Sequence, residues 1–183
     1  VVKRALYNLD NISDQSQKDK LTQGLKDAVT ITAKVLEKMD DDAHKDKLAY
    51  WFGDKKSGDG DREIIRQVLT NFVGDNPDGT GSDKNGQVLV FSDDYWKPTD
   101  REIPGVGDGN TPYCSLEKDG KKGAAYYKRT ADKKPGMHYC DKVYDRANLE
   151  TLTNDDCAKL GDHISTAAWT KNFIGGNILH EFM

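Results

Sequence analysis

Cysteine is scarce in this sequence: Cys114, Cys140 and Cys157 are the only three. That is too few for more than one disulfide, and one thiol is left over. A single disulfide in a secreted protein is expected, with all three pairings open and a partner beyond residue 183 as the alternative for the odd cysteine. Long apolar runs are missing as well. Apolar content is 36%, and no stretch approaches membrane-spanning length, so no membrane partner is expected. An excess of cationic charge is also absent. The formal net charge of −4 argues against a chain-wide nucleic-acid binder. There is no secretory leader, and the sequence opens at Val1-Val2 without Met, so a mature, processed, secreted product is expected. No internal repeat and no linker between two cores is visible, which predicts one domain over 1–183 and a monomer.

What is present is a charged, well-solvated chain, with 32% charged residues, in which Leu, Ile, Val and aromatics recur throughout. The N-terminal part, about 13–73, reads as helical. From Ser13 to Met39, the residues Leu21, Leu25, Ala28, Val29, Thr32, Val35, Leu36 and Met39 fall at three- and four-residue steps, with Lys and Asp on the other face. A second helical stretch follows Asp40, with Leu48, Ala49, Trp51 and Phe52 on its buried side. A third, capped by Asp59 or Asp61, has Ile64, Ile65, Val68, Leu69 and Phe72 as its core face. Gly74–Gly86 is rich in Asp and Asn, but its oxygen ligands do not fall at calcium-loop positions, so it reads as a turn before a strand.

The middle part, about 87–144, reads as strands and loops. Gln87–Phe91 is short, β-branched and apolar. The Gly-rich Pro104–Gly109 lacks the Lys and Ser/Thr of a phosphate loop. Tyr113–Glu117 and Ala124–Lys128 are expected to form a hairpin about Asp119-Gly120, and Met137–Tyr144 a further strand. In this segment lies the basic run that includes Lys121, Lys122, Tyr126, Tyr127, Lys128 and Arg129. Basic residues interleaved with aromatics can bind an anionic glycan or a nucleic-acid strand. A solvated hairpin whose lysines keep a sheet edge soluble is the plainer alternative. Asn11-Ile12-Ser13 is a glycosylation sequon and agrees with secretion.

The C-terminal part, about 153–183, reads as helical. Gly175-Gly176 is expected to break the chain before Asn177-Ile178-Leu179-His180-Glu181-Phe182-Met183. In His-Glu-x-x-His, helical spacing puts two imidazoles one turn apart, where both reach one zinc ion and the Glu acts as general base. Here His180, Glu181 and the two spacers are present, flanked by four large apolar residues.

With an N-terminal helical region, a strand carrying His138-Tyr139-Cys140, a Thr/Ser/Asp-rich connection and this last helix, the sequence resembles the secreted fungal zinc endopeptidases of the deuterolysin (aspzincin) type. These include the lysine-specific metalloendopeptidases. The resemblance implies a zincin-like α+β fold, with several helices around a small, mostly antiparallel sheet, ending in the catalytic-type helix. It implies a protein or peptide substrate, His180 as first zinc ligand and Glu181 as general base. The family's second His, its Asp ligand and its downstream Tyr have no counterpart among residues 1–183. Zinc is therefore expected only if the chain continues past Met183, and the 183-residue chain, cut within the motif, is expected to be inactive. The competing expectation is a non-catalytic secreted protein that binds through the basic hairpin over 118–134.

Overall fold

The computed structural model describes residues 7–39, 41, 43, 59–74, 88–91, 113–115, 117–118, 120–129, 135–152 and 172–182. The elements are β1 (Tyr7–Asn8), α1 (Gln15–Lys38), α2 (Asp59–Val73), β2 (Val88–Phe91), β3 (Glu117–Lys118), β4 (Lys121–Lys122), β5 (Ala125–Arg129), β6 (Pro135–Tyr139) and α3 (Ile174–Phe182). Short 3-10 turns lie at Tyr113–Ser115, Asp141–Val143 and Leu149–Thr151. The fold is α+β. The chain groups into two compact units, one of residues 1–6 and 26–86, the other of residues 7–25 and 87–183, so the boundary falls inside α1.

α1 belongs to the second unit up to Leu25 and to the first from Lys26, and α2 lies in the first. Asp14 caps the start of α1: its carboxylate accepts from the Gln17 backbone N–H at 3.0 Å and the Ser16 hydroxyl at 2.8 Å. These donors favour the charged form and hold the Asp14 carboxyl below its ordinary pKa. Along α1, Leu21, Leu25, Ala28, Val29 and Thr32 are buried, as the three/four spacing predicts. Thr32 satisfies its hydroxyl within the helix, donating to the Ala28 carbonyl at 2.7 Å. Val35 departs from the expected stripe and is exposed. In α2 the buried face is Leu69, Phe72 and Val73, whereas Ile64 and Val68, expected in the core, are exposed. Gly74 ends α2 in the left-handed region (φ +64), and its N–H returns to the Thr70 carbonyl at 2.8 Å, a cap that a Cβ would strain. The helical stretch expected after Asp40 lies almost wholly outside the described residues.

The second unit holds the main sheet, in the order β1-β2-β6-β5. The expectation of a mostly antiparallel sheet is corrected here. β1 pairs with β2, and β2 with β6, in parallel; only β5 with β6 is antiparallel. Parallel neighbours need long crossovers, and both are present in the chain between β1, β2 and β6. The expected hairpin is also redrawn. Its turn is at Gly120 (φ +70), but it joins β3 and β4 as a separate two-stranded ribbon. Tyr113–Ser115 is a 3-10 turn, and β5 pairs with β6. β6 lies inside the sheet, and Gly136, Met137, His138 and Tyr139 are all buried; His138 faces Tyr126 across the β5–β6 pair, with rings stacked at 4.5 Å. Of the three possible disulfides the one formed is Cys114–Cys140, with Cα atoms 5.5 Å apart. Cys157 lies outside the described residues.

α3 begins earlier than expected. Gly175 and Gly176 lie within the helix and are buried, so they do not break it. Its start is pinned instead by a short parallel bridge: the Ala147 N–H donates to the Asn172 carbonyl at 3.1 Å, and the Ile174 N–H to the Ala147 carbonyl at 3.0 Å. These two bonds place the first turn, where glycine's helix penalty is offset by close packing. α1 meets α3 at Gly24. A Cβ there would lie 2.9 Å from Ile178 Cδ1, 3.0 Å from Ile174 Cγ2 and 3.1 Å from Ile174 Cγ1. Both isoleucines are fully buried. Gly24→Ala gains about 1 kcal/mol of helix propensity and incurs about 1–3 kcal/mol of overpacking. A net loss of about 1 kcal/mol is therefore expected, seen in thermal melts as a fall in Tm of about 2–4 °C.

Candidate functional site

The site grows from α3. Its face bearing Ile174 and Ile178 is fully buried, Asn177 is buried beside them, and the helix surfaces only in its last turn. There His180 is exposed and Glu181 is half-buried. The Ala147–Phe173 bridge that starts α3 also fixes the preceding residue, Arg146, which is 8% exposed. The 3-10 turn at Asp141–Val143, through the Arg146 N–H donating to the Val143 carbonyl at 3.2 Å, carries the chain from the end of β6 to that position.

Two tyrosines from different strands complete the surroundings. Tyr7 of β1 and Tyr139 at the end of β6 share a buried hydrogen bond between their hydroxyls at 3.3 Å. Burial above all holds both phenols in the neutral form, well above the ordinary tyrosine pKa; at Tyr7 the hydrogen bond with Tyr139 acts in the opposite sense and the Glu181 charge adds to the rise, and at Tyr139 the Tyr7 phenol adds to it, followed by Glu181. Tyr144 adds to this effect at Tyr139.

The Glu181 carboxyl is pushed above its ordinary pKa, chiefly because burial penalises the charged form; His180 and Arg146 act in the opposite sense and offset part of that shift. Burial likewise lowers the Arg146 guanidinium's pKa, against the attraction of Glu181. Arg146 Nη1 and Asn177 Oδ1 are both buried without a hydrogen-bond partner among the described residues. Asn177 stands one helical turn before Glu181, on the same face of α3. The arrangement joins a carboxylate with raised proton affinity, a charged donor and an accessible imidazole. That set is suited to proton transfer beside a developing negative charge.

His180 and Glu181, singled out from the sequence, are thus together at the exposed end of α3. Arg146, Tyr7, Tyr139 and Asn177 were missed. Asn177 alone had a readable signal, its four-residue spacing from Glu181. Among the described residues no group of three or more His, Cys, Asp or Glu side chains could hold a metal ion. His138 is buried in a stack with Tyr126, a packing role, and His44 and His163 lie outside the described residues. Asp93, Asp94, Tyr95 and Trp96, acidic and aromatic loop residues of the kind that line a cleft, also lie outside them.

The basic segment is divided. Tyr127 and Lys122 are exposed, but Tyr126 is buried and cannot serve as a surface stacking platform. A strand sends neighbouring side chains to opposite faces, so only one of the two tyrosines can reach solvent from that side of the sheet. Lys121 lies in β4, and Lys128 and Arg129 in β5; their side chains lie outside the described residues. The Lys142 ammonium donates to the Lys122 carbonyl, tying the β3–β4 ribbon to the turn after β6.

Compared with known proteins, the chain matches no family model, no curated protein and no solved structure. No described helix is long and apolar enough to cross a membrane.

Two outcomes follow from the buried groups. The raised Glu181 pKa means that folding favours the protonated acid. Its contribution is complete below the ordinary glutamate range and is lost as pH rises through the raised value. Glu181→Gln cannot ionise, so chemical denaturation from about pH 4 to pH 7 should show the variant gaining stability relative to the wild type as pH rises. Tyr7→Phe leaves the Tyr139 hydroxyl buried without its partner and should cost about 1–3 kcal/mol. Adding Tyr139→Phe should recover part of that loss, which a double-mutant cycle measures.

Proposed function

We propose that this chain is a secreted, zinc-dependent endopeptidase-like protein acting on protein or peptide substrates, inactive as residues 1–183 alone because these lack the second His and the third ligand of the motif. Glu181 is the proton-transferring carboxylate and His180 one ligand of the metal. The observation that carries the reading is the pairing, at the emerging end of an otherwise buried helix, of an exposed imidazole with a half-buried carboxylate whose proton affinity is raised. A general base works best with a pKa near the operating pH, and burial moves Glu181 in that direction.

A catalytic zinc takes three protein ligands and a water. The described residues supply one exposed imidazole, His180, and not the full set. The chain's own residues act as follows. Glu181 takes a proton from the attacking water and delivers it to the leaving amine. Arg146 keeps a positive charge within electrostatic reach of that carboxylate. The neutral Tyr7–Tyr139 pair lies within electrostatic reach of Glu181. The Cys114–Cys140 disulfide is compatible with an extracellular setting. The competing reading, a non-catalytic binder of anionic glycan or nucleic acid, retains exposed Tyr127 and Lys122 but loses Tyr126 to the core.

The test is proteolysis of an unfolded protein substrate by the protein as isolated from its source. Glu181→Gln should lower kcat by at least about 100-fold, the usual scale of a lost general base. Zinc content should be unchanged in that variant, and a chelator should abolish activity in the wild type. Full activity in Glu181→Gln, or indifference to chelation, would overturn the reading.

A further inference from the structure

Asn11-Ile12-Ser13 is the one Asn-x-Ser/Thr triplet with a non-proline centre in the sequence. The peptidase reading makes no use of it. Its placement is specific. The Ile12 N–H donates to the Leu9 carbonyl at 3.1 Å, closing a turn over Leu9–Ile12 with Asn11 at its outer corner. Just before it, the Asp10 N–H donates to Asn8 Oδ1 at 2.8 Å, which holds the end of β1. Ile12 is buried at 4% and anchors the triplet by its middle residue, while Asn11 and Ser13 on either side are exposed.

The hydrogen bonds of the helix start leave both groups available. The Asp14 carboxylate receives the Gln17 N–H and the Ser16 hydroxyl. Among the described residues, neither the Asn11 carboxamide nor the Ser13 hydroxyl takes part in a hydrogen bond. Asn8, by contrast, is half-buried and is not followed by a hydroxyl two residues on, and its Oδ1 is engaged. A turn corner with a buried anchor presents its side chain outward, so a large polar substituent there meets water rather than the core.

We propose that Asn11 is an N-glycosylation site, carrying an oligosaccharide on the turn between β1 and α1. The co-reactant is a lipid-diphosphate-linked oligosaccharide. A bond forms between Asn11 Nδ2 and the anomeric carbon of the first sugar. The anomeric C–O bond to the diphosphate breaks, the lipid diphosphate leaves with the electron pair, and the amide nitrogen gives up one proton. The Ser13 hydroxyl orients the carboxamide for that attack. The Cys114–Cys140 disulfide is compatible with an oxidising compartment of the kind in which such transfer occurs. The modification does not depend on the chain being a peptidase.

The experiment is secretion of the chain from yeast cells, with peptide mass mapping before and after treatment with a peptide N-glycosidase. The Cys114–Cys140 disulfide is verified in the same sample, to show passage through the oxidising compartment. The expected result is a glycosidase-sensitive mass increment on the Asn11 peptide, completely lost in Asn11→Gln and in Ser13→Ala and kept in Ser13→Thr. The result that overturns the proposal is secreted, disulfide-bonded wild-type chain whose Asn11 peptide is unmodified, or an increment that survives in Asn11→Gln.

Discussion

The close approach of α1 and α3 at Gly24 is the contact on which the rest of the second unit depends. With no side chain at residue 24, Ile174 and Ile178 press directly on the α1 backbone and are removed completely from water. Two buried isoleucines contribute roughly 3–6 kcal/mol of hydrophobic stabilisation between them. That contact fixes both the rotation and the depth of α3. Since α3 is only nine residues long, its rotation decides which side chains of the last turn meet the interior and which meet solvent. His180 faces out and Glu181 is drawn half in.

Depth then sets the chemistry. A carboxylate at the surface would keep its ordinary acidity. Here the loss of water outweighs the favourable charges of His180 and Arg146, and the proton is held more tightly. The same burial keeps Tyr7 and Tyr139 neutral and lets them share one hydrogen bond across the sheet. Arg146 has its place because the bridge from Ala147 to the start of α3 ties the two segments together. A single anchoring point therefore serves two purposes: it replaces a conventional helix cap at the start of α3, and it brings a guanidinium within electrostatic reach of the carboxylate at the far end of the same helix.

Local periodicity made much of the helical part legible. Leu21, Leu25, Ala28 and Val29 follow the spacing of one helix face, and burial selects that face. β2 was legible because a short β-branched run between turn residues has few other uses. The failures share a physical cause. Ile64 and Val68 satisfy the same period as Leu69 and Phe72 in α2, but a helix has only one side turned to the core, and the neighbours that choose it are remote in sequence. Gly175-Gly176 reads as a break from intrinsic propensity alone, and tertiary contacts override a penalty of about 1 kcal/mol per glycine. Tyr126 and Tyr127 are equivalent in composition and are separated only by the pleat.

By itself, then, the sequence determined the elements whose signals are local: the two long helices, the strand Val88–Phe91, the adjacent His180 and Glu181, and the sequon at Asn11. Nearest-neighbour sterics and periodic hydrophobicity act over a few residues, so these can be read along the chain. Tertiary structure alone decided the parallel pairing of β1, β2 and β6, the choice of Cys114 as the partner of Cys140, and the meeting of Tyr7 with Tyr139 across 132 residues. It also decided that Arg146 comes within electrostatic reach of Glu181. Such contacts depend on which apolar surfaces come together when the chain closes long loops, and no short-range pattern encodes that choice.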